Sequence, residues 1–264
     1  MAFARVNGVL LHYRLTGSAG APVLGLVNSV GTDLRIWDEV VAQLGSRYRL
    51  LCYDQRGHGL SDTPPGDYTI EDQVGDLIGL LDHLQIDRLA LCGISIGGLI
   101  AQGFALAAPR RLAGLVLCDT AARIGDPELW QTRIDIVRAQ GMNSVVDAVM
   151  ERWFSAGFRR GQPESFAGWR NLFVRTDPHG YAGGCATLRD TDLRARIGNI
   201  TLPTLVIAGE DDIATPVELV RDCAKALPRA RFEVLPGAGH IPAIEQPTVL
   251  AGLITGYLEE LGYG

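Results

Sequence analysis

The sequence predicts an α/β fold: a mostly parallel central sheet with helices on both faces, interrupted by a helical insertion. Two observations predict it. Up to Asp119, and again after Ile200, short apolar runs alternate with longer stretches of helical periodicity. Between Thr120 and Asn199 apolar residues recur at helical spacing and no strand-like run stands out. Strands alternating with helices imply a parallel sheet covered on both sides.

The elements follow in order. Val6-Asn7-Gly8-Val9-Leu10 reads as a hairpin turn leading into Leu11–Leu15. Val23–Val27 is a continuous apolar run, as for a strand buried on both faces. Trp37–Leu44 has helical spacing and Tyr48–Tyr53 is strand-like. A polar loop with Gly57, Gly59, Pro64, Pro65 and Gly66 comes next. Val74, Leu77, Ile78 and Leu81 form one stripe of an amphipathic helix over Ile70–Leu84. Leu89–Cys92 reads as a strand, Leu99–Ala107 as a helix and Leu112–Cys118 as a strand. Beyond the insertion come a strand at Leu202–Ala208, a helix at Val217–Leu227, a strand at Phe232–Leu235 and a last helix at Thr248–Leu261. The expected organisation is a core of residues 1–119 and 200–264 with a helical cap of residues 120–199.

Composition narrows the function. The chain has 264 residues, 47% hydrophobic and 20% charged, ample for a core and far from a disordered composition. A formal charge of −6 and a pI near 5.4 argue against a nucleic-acid binder. Lys225 is the only lysine and no Gly-rich run precedes it, which excludes a phosphate-binding loop and makes Schiff-base chemistry unexpected. The 5 cysteines (Cys52, Cys92, Cys118, Cys185 and Cys223) include no Cys-x-x-Cys pair, so they read as reduced, buried thiols. No metal-ligand spacing or dinucleotide fingerprint is present, so neither a metal nor an organic cofactor is expected. Arg5 and Asn7 interrupt any leader-like apolar stretch and no window is long enough for a membrane span. A reducing cytoplasm is the expected compartment.

Gly93-Ile94-Ser95-Ile96-Gly97 follows a strand and opens a helix. A nucleophile at such a sharp turn sits in strained backbone geometry, and flanking glycines let neighbouring backbone approach. A serine hydroxyl needs a base. Among 5 histidines, His12 and His83 lie on regular elements, and His58 sits in a loop it can shape. His179 lies inside the insertion, open to a substrate-side role. His240, in the Gly-rich loop Pro236–Pro242 after a strand, is the best base. The acid that orients it should end another strand, which points to Asp212 in Gly209-Glu210-Asp211-Asp212. Asp211 is its neighbour and rival, and Asp119 a second alternative. Two N–H donors should hold an oxyanion: Ile96, just after the nucleophile, and Val30, in the loop Asn28–Asp33. The insertion carries 11 Arg against 9 acidic residues in a chain that is acidic as a whole. Arg133 and Arg152, beside Trp130 and Trp153, are the candidates to hold an anionic substrate.

The order Ser95, Asp212, His240 is that of the α/β-hydrolase fold, which the chain resembles over nearly its whole length. More narrowly it resembles the 3-oxoadipate enol-lactonases. The stretches that carry this are Asn28–Asp33 with Trp37, Tyr53–Gly59, Thr120–Gly125, Arg152-Trp153-Phe154 and Gly209–Asp212 with Ala214-Thr215-Pro216. Two departures stand out: Asn28-Ser29 where most relatives begin this loop with His-Gly, and Asp119 where Asn is expected. The resemblance implies hydrolysis of 3-oxoadipate enol-lactone through an acyl-enzyme, a small-molecule lactone as partner, no nucleic acid or membrane, and no fused decarboxylase domain. The other readings are a broad carboxylesterase or perhydrolase on the same scaffold, and a non-enzymatic small-molecule receptor.

Overall fold

The computed structural model describes residues 2–264. Strands β1 (Ala2–Val6) and β2 (Val9–Thr16) form the expected hairpin. Asn7 and Gly8 take φ of +49° and +79°, the left-handed pair that a two-residue turn between twisted strands requires. The remaining strands are β3 (Val23–Val27), β4 (Arg49–Tyr53), β5 (Leu89–Ile94), β6 (Leu112–Cys118), β7 (Thr204–Gly209) and β8 (Ala230–Leu235). They form one 8-stranded sheet in the order β1-β2-β4-β3-β5-β6-β7-β8. The pairs β1·β2 and β2·β4 are antiparallel and the others parallel.

Burial follows position in the sheet. Every residue of β5 and β7 is buried, as apolar runs covered on both faces require. Edge strands β1 and β8 expose part of their length. From β3 the chain steps one way to β4, then returns past β3 to β5. Right-handed crossovers in opposite directions place their helices on opposite faces. Accordingly α1 (Asp38–Leu44) packs with α11 (Pro247–Glu260), and α2 (Ile70–His83) with α3 (Ile96–Ala107). The reversal also opens a crevice at the carboxyl ends of β3 and β5, where ligands bind in open α/β sheets.

Between β6 and β7 lie α4 (Pro127–Gln140), α5 (Val146–Trp153), α6 (Ala156–Gly161), α7 (Pro163–Val174) and α8 (Pro178–Asp190), with no strand. α9 (Val217–Ala226) and α10 (Pro242–Glu245) complete the helices. Helix α3 begins at Ile96, three residues before the Leu99 that apolar periodicity suggests. Gly97 and Gly98 carry no apolar signal, but tertiary contact requires them small: a Cβ on Gly97 would lie 2.3 Å from the Val27 carbonyl oxygen. No helix among the described residues is long and apolar enough to cross a membrane.

Candidate active site

Ser95 joins β5 to α3 with φ +59° and ψ −121°, a strained conformation for a residue with a side chain. Its backbone is pinned on both sides. Ser95 N–H donates to the Cys118 carbonyl at 3.1 Å, and Thr120 Oγ1 donates to the Ser95 carbonyl at 2.7 Å. These bonds hold a geometry that the residue would not choose alone.

His240 is buried, and its Nδ1 lies 2.8 Å from Asp212 Oδ2. With Nδ1–H assigned as the donor to that carboxylate, Nε2 carries the free lone pair. Asp212 also accepts from Ala214 N–H at 2.7 Å, Thr215 N–H at 3.1 Å and Thr215 Oγ1 at 2.5 Å. Burial opposes its charge, but the interaction with His240 and the Thr215 bonds outweigh it and hold Asp212 below the usual carboxylate range.

The rival acids are placed differently. Asp211 is exposed and makes no bond to His240. Asp119, at φ +47°, is fully buried. Its Oδ1 accepts from Gly209 N–H at 2.6 Å and its Oδ2 has no partner. Burial, then the negative charge of Asp212, push Asp119 well above the usual range.

The loop Asn28–Asp33 is shaped by its own bonds. Asn28 Nδ2 donates to the Thr32 carbonyl at 3.0 Å and Thr32 Oγ1 to the Ser29 carbonyl at 2.7 Å. Gly31 N–H donates to His58 Nε2 at 2.8 Å, which gives His58 the loop-shaping position the sequence suggests. Burial lowers the His58 pKa, keeping the ring an acceptor. None of these bonds uses the N–H of Val30. Ile96 opens α3, where amides have no partner inside the helix.

Ser95, His240 and Val30 line one cavity with Trp130, Arg133, Arg152 and Trp153 of the cap. The cavity is narrow and largely enclosed by these side chains. Clefts of about 490 and 680 Å³ lie elsewhere, sharing Arg35, Asp38, Leu172 and Arg175; neither includes Ser95 or His240.

Most cap arginines whose ion pairs are formed face outward: Arg123 and Arg194 to Asp192, Arg138 and Arg189 to Asp67, and Arg170 to Asp147. Arg133 and Arg152 pair with no carboxylate among the described residues. Arg133 Nη1 lies 3.4 Å from Tyr181 Oη, and its guanidinium sits 5.7 Å from the Trp130 ring centre. Burial and the charge of Arg133 pull the Arg152 pKa down. Two cations thus face one small cavity without a counter-ion. Sequence reasoning missed Tyr181, which lines the same cavity. Its signal is faint: it is the one large residue in the run Gly180–Ala186. His179 is exposed and lines no part of this cavity, contrary to the substrate-side role left open for it.

A profile described as the alpha/beta hydrolase family matches residues 17–253. The chain belongs to that family. As an alpha/beta hydrolase it is 39% identical to 3-oxoadipate enol-lactonase 2 of Acinetobacter baylyi, over 90% of this chain and 89% of that protein. It is 32% identical to 3-oxoadipate enol-lactonase 1 of the same organism, over 97% and 95%. Among solved structures, the enol-lactonase from Burkholderia xenovorans superposes with a TM-score of 0.95 at 42% identity, covering 98% of this chain and 100% of that one. The sheet topology, with the Gly93–Gly97 turn at the end of β5, is that of an alpha/beta hydrolase.

Proposed function

We propose that this hydrolase opens 3-oxoadipate enol-lactone to 3-oxoadipate, with Ser95, His240 and Asp212 as its catalytic triad. The observation that carries the reading is the pair of guanidiniums, Arg133 and Arg152, left without carboxylate partners in the cavity that holds Ser95 and His240. The enol-lactone bears a free carboxylate, and a charged hydrogen bond to Arg suits it. The named relatives at 39% and 42% identity support the same substrate.

In this mechanism Ser95 Oγ attacks the lactone carbonyl and His240 Nε2 takes its proton. The N–H groups of Val30 and Ile96 receive the oxyanion. Asp212 keeps the imidazole in the required tautomer and stabilises its charged form. Collapse of the intermediate breaks the ring C–O bond and His240 returns the proton to the leaving oxygen, giving a neutral imidazole and an enol that stays tethered in the acyl-enzyme. Its conversion to the ketone removes the group that could close back. Water activated by His240 then frees 3-oxoadipate. Every step uses side chains and amides of this chain, so turnover should survive exhaustive chelation.

The test compares initial rates on the enol-lactone and on neutral aryl acetates. Preference for the enol-lactone that vanishes when Arg133 or Arg152 is removed supports the reading. Neutral esters turned over equally fast would make the protein a broad carboxylesterase instead, and absence of multiple turnover would make it a receptor.

A further inference from the structure

The loop that carries His240 is held by the cap as well as by the sheet. His240 N–H donates to the Trp153 carbonyl at 2.9 Å. Two residues further along the cap, Ser155 donates to the Glu245 carboxylate twice, through N–H at 3.2 Å and Oγ at 2.6 Å. Gly239 N–H donates to the same Glu245 Oε1 at 3.1 Å. One carboxylate on α10 therefore joins the α5–α6 junction of the cap to the residue that precedes His240.

The joint has no slack. A Cβ on Gly239 would lie 2.5 Å from Glu245 Oε1, 2.7 Å from the Trp153 carbonyl oxygen and 2.8 Å from Ser155 N. Real Cβ atoms do not approach so closely, so only glycine lets the three segments meet. Glu245 is the last residue of a four-residue helix, where a negative charge does nothing for the helix itself. Its partners are two amides and a hydroxyl rather than an arginine or lysine. A partly desolvated carboxylate so placed has its energy in those bonds.

We infer that Glu245 is a positioning residue for His240, tying the cap segment Trp153–Ser155 to the base-bearing loop so that cap and base hold one geometry. This rests on the reading of His240 as the general base. Trp153, at the same joint, also walls the cavity. Displacing the base by about 1 Å is enough to lower a rate about a hundredfold.

The experiment measures kcat and KM for Glu245→Ala, Glu245→Gln and Ser155→Ala on the enol-lactone and on a neutral aryl acetate. Rates are expressed per active site titrated to completion with a fluorophosphonate, which removes the contribution of unfolded protein. Glu245→Ala should lower kcat by about ten- to a hundredfold on both substrates, with KM nearly unchanged. Glu245→Gln should recover most of the loss, because its amide oxygen can accept from Ser155 and Gly239 and its NH₂ can donate to Ser155 Oγ. Ser155→Ala should show a smaller loss in the same direction, and it decides the matter if Glu245→Ala does not fold. Wild-type kcat in Glu245→Ala or Ser155→Ala, a loss confined to KM, or a Gln variant no better than Ala would overturn the inference. Turnover retained by Ser95→Ala would instead overturn the triad reading, which separates the two failures.

Discussion

The crevice at the end of the sheet and the cap above it are built by different forces. In the crevice, backbone does the positioning. Parallel ladders set β5 between β3 and β6, with Val27 opposite Gly93 and Ile94 opposite Cys118, and Ser95 is pinned by bonds to the strand and loop beside it. In the cap, side chains do it. Trp153 and Tyr181 each meet Phe173 edge-on at 5.3 Å, and Arg133 leans on Tyr181 and Trp130. Backbone geometry survives most substitutions, whereas side-chain packing changes with each one. The comparison teaches that backbone bonds fix the Ser95 turn, while side-chain packing shapes the wall above it.

Substitutions in the crevice should break the chemistry for every substrate alike. Ser95→Ala and His240→Ala should each lower kcat by several powers of ten, leaving about 10³–10⁴ over water from the oxyanion donors and binding. Asp212→Asn should lower kcat by about 10⁴, because an amide favours the wrong imidazole tautomer. Near-normal kcat in Asp212→Asn would mean that the 2.8 Å contact with His240 has no catalytic part.

Substitutions of the two arginines that line the cavity should separate substrates instead. Arg133→Ala or Arg152→Ala should raise KM for the enol-lactone by an amount consistent with about 1.5–3 kcal/mol for a charged hydrogen bond. Hydrolysis of a neutral aryl acetate should barely change. Equal losses on both substrates would erase the division between the two regions.

A smaller effect concerns pH. The buried His58 has a lowered pKa in the folded chain, while the unfolded chain protonates below about pH 6.5. Stability from His58 is therefore complete above that pH and declines as pH falls below it, by up to about 1.4 kcal/mol per pH unit. Thermal melts between pH 7.5 and 5.5 should fall less steeply for His58→Gln than for the wild type. Equal slopes would remove His58 from this balance.

The smallest effect should come from Asp119. Its carboxyl holds its proton to higher pH in the fold than in the unfolded chain, which ionises above about pH 3.9, so its contribution to stability falls as pH rises from there. Asp119→Asn keeps Oδ1 for the Gly209 amide and has no proton to lose. It should leave kcat nearly unchanged and raise Tm, by more at pH 8 than at pH 5. A variant with kcat as low as that of Asp212→Asn would give Asp119 the acid's role.

Much of this was legible from residue types and order. Continuous apolar runs marked β3, β5, β6 and β7, because strands buried on both faces have no polar side to disguise them. The Ser95 turn and the His240 loop were legible because close backbone contacts demand glycine, and glycine is visible in a sequence. The start of α3 was missed for the same reason, since Gly97 and Gly98 satisfy neighbours that periodicity does not see.

By itself, then, the sequence determined the alternation of strands and helices, the helical stretch between β6 and β7, and the short set of residues able to carry the chemistry. Only tertiary structure decided which carboxylate meets His240, since Asp211 and Asp212 are adjacent in the chain but only Asp212 is buried beside the imidazole. It alone raised the Asp119 carboxyl above its ordinary range, put two arginines without carboxylate partners in the cavity that Ser95 lines and set Glu245 against Ser155 and Gly239. The physical reason is that charge state and pairing depend on burial and on partners distant in the chain, which local sequence does not contain.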